Sequence, residues 1–185
     1  MPNAKRLSVI GLQDSGKTTL VEAMVQHWAQ QGLRVGVIKH DGHLQPGEPD
    51  DWEKEGSDTS KFTAAGARFT LLAGGGRSLL RTVDDAEVAQ ADVPALCNRL
   101  ESLAKSAGKP LDVVIVEGFK GSSLPKIVVL RRESDIEWFL RESSRLQQMR
   151  AIVVPLHLQH LVELDLQVYD DRHIPVLCTD LFRQL

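Results

Sequence analysis

Gly11-Leu12-Gln13-Asp14-Ser15-Gly16-Lys17-Thr18 is the stretch that decides the reading of this chain. Glycine, four residues, glycine, lysine and a hydroxyl residue is the spacing of a phosphate-binding loop. The glycines permit backbone angles that aim successive N–H groups into one concavity, and the helix that opens at Lys17 adds its unpaired N-terminal donors. Lys17 supplies an ammonium for the phosphates, and Thr18 a hydroxyl for a magnesium ion. A random chain of this length meets the four fixed positions on the order of 1% of the time or less. The context also fits. Arg6 to Gly11 reads as a short apolar strand that breaks on glycine, and Leu20, Val21, Met24, Val25 and Trp28 follow at helical spacing. The expected nucleotide contacts here are Gly11, Gln13, Asp14, Ser15, Gly16, Lys17, Thr18 and Thr19. Asp14 is an acid in a seat for anions, so its side chain is expected to point outward and only its backbone to contribute.

Gly32 stands where a helix ends on a left-handed residue, and Leu33 to Ile38 give a second strand, which completes a βαβ unit. Asp41 to Ser57 turns to glycine, proline and acid with no hydrophobic period, the profile of a functional surface loop. A short helix is expected over Thr59–Ala65. Arg68–Ala73 and Ser78–Val83 then read as a hairpin about the turn Gly74-Gly75-Gly76, a turn rather than a second phosphate cradle. Asp92 can cap a helix carrying Val93, Leu96, Leu100 and Leu103, which Gly108 and Pro110 close.

Leu111 to Val116 is a nearly continuous apolar run, the pattern of a central parallel strand covered on both faces. Glu117 ends it, which puts a carboxylate at the carboxyl edge of the sheet, where open α/β folds bind their ligands. It is positioned to serve the magnesium site and orient a water. Pro125–Leu130 and Ala151–Val154 read as two more strands with a helical connection between them. Ile174–Leu177 is a last apolar run ahead of a short terminal helix. The fold class expected is therefore α/β, a three-layer P-loop NTPase fold with a mostly parallel sheet and a β-hairpin extension, as one nucleotide-binding domain over residues 1–185.

Composition narrows the partners. The 185 residues are 42% hydrophobic with a formal net charge of −3, so no global field draws the chain to nucleic acid. Cys97 and Cys178 lie far apart, which suits a reduced cytoplasm and suggests neither a zinc cluster nor a disulfide framework. No apolar run is long enough for a membrane span, and no membrane partner is expected.

Beyond the phosphate loop, Ile38-Lys39-His40-Asp41-Gly42-His43, Gly56-Ser57-Asp58-Thr59, Ala65-Gly66-Ala67, Val116-Glu117-Gly118-Phe119-Lys120 and Pro125-Lys126-Ile127-Val128 occur in that order. Over about residues 6 to 130 the chain thereby resembles the molybdopterin-guanine dinucleotide biosynthesis protein B family, MobB, among P-loop GTPases. The resemblance implies a GTP-binding, weakly hydrolysing adapter, usually a homodimer, that assists the guanylyltransferase MobA in attaching GMP to molybdopterin. Molybdopterin is itself a candidate partner. Carried over by position, it implies that Lys17, Asp58 and Glu117 serve hydrolysis, that Thr18, Asp58 and Glu117 hold Mg²⁺, and that Lys39, His40, His43 and Lys120 line the nucleotide mouth. Ser57 departs from the lysine common in the family, and Ala151-Ile152-Val153-Val154-Pro155 lacks the acid often found there. No Asn-Lys-x-Asp guanine motif is present, so GTP rests on the resemblance.

Three side readings stay open on the residues alone. His40, Asp41 and His43 fit a metal, a phosphate or partner contact, or a solvated loop. Trp52 fits a partner anchor or a residue folded back on the sheet. A small-molecule kinase, with Lys120 or His40 receiving the acceptor, and a metallochaperone GTPase are the competing functions.

Overall fold

The computed structural model describes residues 3–40, 56–83, 92–162, 166–170 and 172–185. The chain forms two compact units, Met1–His40 with Val93–Leu185, and Asp41–Asp92.

The larger unit is a six-stranded parallel sheet in the order β2-β5-β1-β6-β7-β8. Its strands are β1 (Lys5–Ile10), β2 (Val35–Lys39), β5 (Val113–Glu117), β6 (Lys126–Val129), β7 (Met149–Val153) and β8 (Gln167–Tyr169). Strand alternation explains why the central strands read as unbroken apolar runs. Val113 and Ile115 of β5 join Leu7 and Val9 of β1 in a core with Leu20, Val21, Met24 and Trp28 of α1 (Lys17–Gln30) and Leu177, Cys178 and Leu181 of α5 (Ile174–Gln184). The alternate residues Val114 and Val116 face the other way, against Val93 and Cys97 of α3 (Val93–Ser106). Further along that face, Val128 and Ile152 pack on Ile136 and Phe139 of α4 (Glu133–Glu142). Helices therefore cover both faces, the three layers expected, and each large apolar side chain taken out of water contributes about 1.5–3 kcal/mol.

This strand order also fixes where a ligand can sit. β2 and β5 lie on one side of β1 and β6, β7 and β8 on the other, so the direction of winding changes at β1 and a crevice opens at its carboxyl end. The loop after Ile10 occupies that crevice.

The smaller unit holds α2 (Asp58–Ala64) and an antiparallel hairpin, β3 (Phe69–Gly74) with β4 (Arg77–Thr82). Ser57 caps α2 by accepting from the Ser60 N–H at 3.1 Å. The expected turn contracts by one residue. Gly74 pairs with Arg77, which leaves Gly75 and Gly76, both at positive φ, as a two-residue turn matched to the strand twist.

Two expectations at the chain's end change. β8 is a short strand absent from the sequence reading, and Ile174–Leu177 forms the first turn of α5, where Pro175 sets the helical φ. Most of the 41–57 loop, with Asp41, His43 and Trp52, lies outside the described residues.

Candidate functional site

Gly11 shows why the loop begins with glycine. A Cβ there would lie 2.5 Å from Ser15 Oγ and 2.6 Å from the Val129 carbonyl oxygen, closer than any real side chain tolerates. Asp14 at φ 59° and Gly16 at φ 90° are both left-handed, one on each side of Ser15. Backbone of alternating hand turns successive N–H groups toward one point, the geometry of an anion nest. Asparagine and aspartate are the side chains that tolerate that region best, and Asp14 is exposed. The Ser15 hydroxyl is buried with no hydrogen-bond partner among the described residues.

Lys17 opens α1 and its ammonium donates to the Leu12 carbonyl at 2.5 Å, which lays the side chain back over the loop. Partial burial pulls its pKa below the ordinary lysine value, and Lys120 adds to the depression. Glu117, Asp14 and Asp135 act in the opposite sense. Thr18 donates through Oγ1 to Glu117 Oε1 at 2.8 Å. Glu117 is itself buried, at the end of β5. Thr19 is exposed on the same turn of α1.

Behind Glu117 the chain turns sharply. Gly118 has φ 98° and donates to the Val9 carbonyl at 2.9 Å, and a Cβ on it would meet His40 Cβ at 2.9 Å. Phe119 is also left-handed, at φ 53°, and its ring lies 4.3 Å from that of His40. Lys39 sits in register with Glu117 on the neighbouring β2, exposed as His40 is. Lys120 places its ammonium 4.5 Å over the ring of Trp138 on α4. Asp58 heads α2 in the smaller unit, its side chain 86% exposed and 3.5 Å from Lys61.

The sequence reading missed the segment that follows β6. Asp135, fully buried, accepts the backbone N–H groups of Arg131 and Arg132 through Oδ2, at 2.8 and 2.9 Å. Arg132 donates to Asp135 Oδ1 at 3.4 Å and to the Gln13 carbonyl at 3.0 Å. A trans peptide is planar, so holding the Gln13 oxygen to one side turns the Asp14 N–H to the other. Two arginines straight after an apolar strand, with an acid three residues later, were the available signal.

This donor set fits a magnesium-bound polyphosphate. Among the described residues, backbone donors converge at Ser15, a buried hydroxyl lacks a partner, an ammonium is free of any carboxylate bond, and a hydroxyl and a carboxylate already meet. The backbone of 11–17 and Lys17 could hold phosphate, and Thr18 with Glu117 could hold the ion. Among the described residues, no cluster of His, Cys, Asp and Glu is placed to hold a metal, and no helix is long and apolar enough to cross a membrane.

Known proteins share this architecture. The model of the family described as "Molybdopterin guanine dinucleotide synthesis protein B" matches residues 6–154. A Haemophilus influenzae protein named as a molybdopterin-guanine dinucleotide biosynthesis adapter is 29% identical over 170 residues, 91% of this chain and 83% of its own. The Escherichia coli protein of the same name is 32% identical over 117 residues, covering 63% of this chain and 60% of its own. The crystal structure of Bacillus subtilis MobB superposes with a TM-score of 0.71 at 29% identity, covering 98% of each chain.

Proposed function

Because the chain belongs to the molybdopterin guanine dinucleotide synthesis protein B family, we propose that it serves molybdopterin guanine dinucleotide biosynthesis as a nucleotide-binding adapter. The nucleotide on this reading is GTP with Mg²⁺. The partner is a MobA-like guanylyltransferase, with molybdopterin passing between them, and the working form is a cytoplasmic homodimer. The observation that carries the reading is the Thr18–Glu117 bond beside the Lys17 ammonium, which joins a phosphate seat to an acid suited to magnesium.

Each residue then has a task. The nest around Ser15 and the Lys17 ammonium bind the β- and γ-phosphates through charge-assisted hydrogen bonds, each contributing about 1.5–3 kcal/mol. Thr18 and Glu117 hold the magnesium, which supplies neutralisation of charge on the phosphates. Glu117 also orients a water for slow hydrolysis. Lys39, His40 and Lys120 line the mouth. Nucleotide state acts through the 41–57 loop on docking of the partner enzyme.

The test is twofold. In a calorimeter the wild-type chain binds GTP in the presence of Mg²⁺ and Lys17→Ala does not; equal binding by the variant overturns the phosphate seat. In a pull-down with purified guanylyltransferase, GTP strengthens capture. Capture that is absent under every nucleotide condition overturns the adapter reading.

A further inference from the structure

The β6–α4 connection carries a second cation to the phosphate loop. The Arg131 guanidinium reaches Gly16: a Cβ on that glycine would lie 3.7 Å from Arg131 Nη1. Gly16 is the N-cap of α1 and immediately precedes Lys17. Arg131 is exposed, and among the described residues its guanidinium has no hydrogen-bond or carboxylate partner.

Its backbone, by contrast, is held firmly. Leu130 before it is buried, the Arg131 N–H is bonded to the buried Asp135 carboxylate, and the adjoining Arg132 is tied to the Gln13 carbonyl. One arginine thus fastens this connection to the phosphate loop, and the other projects from a fixed base. An unpaired guanidinium joins Lys17 and Lys120, whose charges already oppose each other. A guanidinium offers a planar fork that matches phosphate oxygens.

We infer that Arg131 is a nucleotide-binding residue that contacts the polyphosphate from within the same chain. This rests on the phosphate-seat reading above and adds to it a ligand contact from outside the loop. A solvated surface arginine is the competing account, and it predicts no effect on affinity.

The experiment is displacement of a fluorescent GTP analogue from the full-length chain by GTP and, separately, by inorganic tripolyphosphate, in Mg²⁺ and at several KCl concentrations. For Arg131→Ala, both competitors should weaken by about ten- to a hundredfold, the range a single charged hydrogen-bonding group covers, and affinity should fall less steeply with salt. Arg131→Lys should recover part of the loss. GTP and tripolyphosphate affinities within twofold of wild type overturn the inference. So does a loss for GTP without a loss for tripolyphosphate, since the contact would then be to the base or sugar. The two readings fail separately. Wild-type protein that does not bind GTP, or Lys17→Ala that binds as well as wild type, brings down the phosphate seat itself. Loss in Lys17→Ala with none in Arg131→Ala removes only Arg131. Thermal melts identify any misfolded variant, in which case Arg131→Gln replaces it.

Discussion

The Thr18 hydroxyl donates to Glu117 Oε1 across 2.8 Å, linking two residues 99 positions apart. The first turn of α1 and the end of β5 are thereby brought to one point. Glu117→Gln keeps an oxygen that can accept from Thr18 but removes the charge, so the fold should be retained. With Mg²⁺, triphosphate affinity should drop by about tenfold or more, because the ion loses its carboxylate. Without Mg²⁺ the order should reverse, since the variant no longer repels phosphate. Calorimetry with and without EDTA reads both arms, and a variant that behaves as wild type in each disproves the magnesium role.

The elements that frame this contact were legible because they are punctuated by local chemistry. Gly11 breaks one apolar strand, Glu117 ends another, and the helix face of Leu20, Val21, Met24 and Trp28 carries its period openly. Asp135 was not legible. Its value comes from being buried beneath the backbone of Arg131 and Arg132, and two arginines with an acid three residues on do not by themselves say that the loop folds back onto residue 13. β8 escaped because three residues are too few to show alternation. The run Ile174–Leu177 misled because four apolar residues in a row read alike as a helical turn and a short strand.

Lys126 opens β6 almost wholly buried, with its ammonium bonded to the carbonyls of Ser122 and Leu124 and, among the described residues, to no carboxylate. It holds the loop that carries Lys120. Lys126→Met matches the stem but leaves two carbonyls without their donor, a cost of about 1–3 kcal/mol. The pH dependence has a definite sign. Burial lowers the folded pKa of Lys126 below the ordinary value near 10.5, so in the window between the two the unfolded chain binds more protons than the folded one. Stability contributed by this group therefore rises with pH through that window and is level below it. Cys178 and Tyr169, both pushed up to about 12 by burial, act oppositely, their contributions being lost as pH climbs past the ordinary thiol and phenol values. Those two are shared by both proteins and cancel in the comparison. Denaturant melts at successive alkaline pH values should show the gap between wild type and Lys126→Met widening in favour of wild type. A gap that stays constant or narrows refutes the buried-cation account.

The hairpin tests the dimer. Leu71 and Leu80 are directly opposed across β3 and β4 and are 62% and 40% exposed, while Phe69 on the same strand face is 72% exposed. Leu72 and Leu79, the next pair, are also exposed. A two-stranded ribbon is marginal by itself in water, and apolar pairs left open on it favour association with another surface. A second copy of the chain is the occupant proposed here. Leu71→Asp combined with Leu80→Asp should convert a dimer into a monomer in light scattering, or weaken dimerisation by at least about tenfold, because two charges would be buried without partners. Neither leucine belongs to the cores of the larger unit, so its melting and its GTP binding should be unchanged. A wild-type chain that is monomeric at high concentration, or a double variant that dimerises as before, removes the hairpin as the interface.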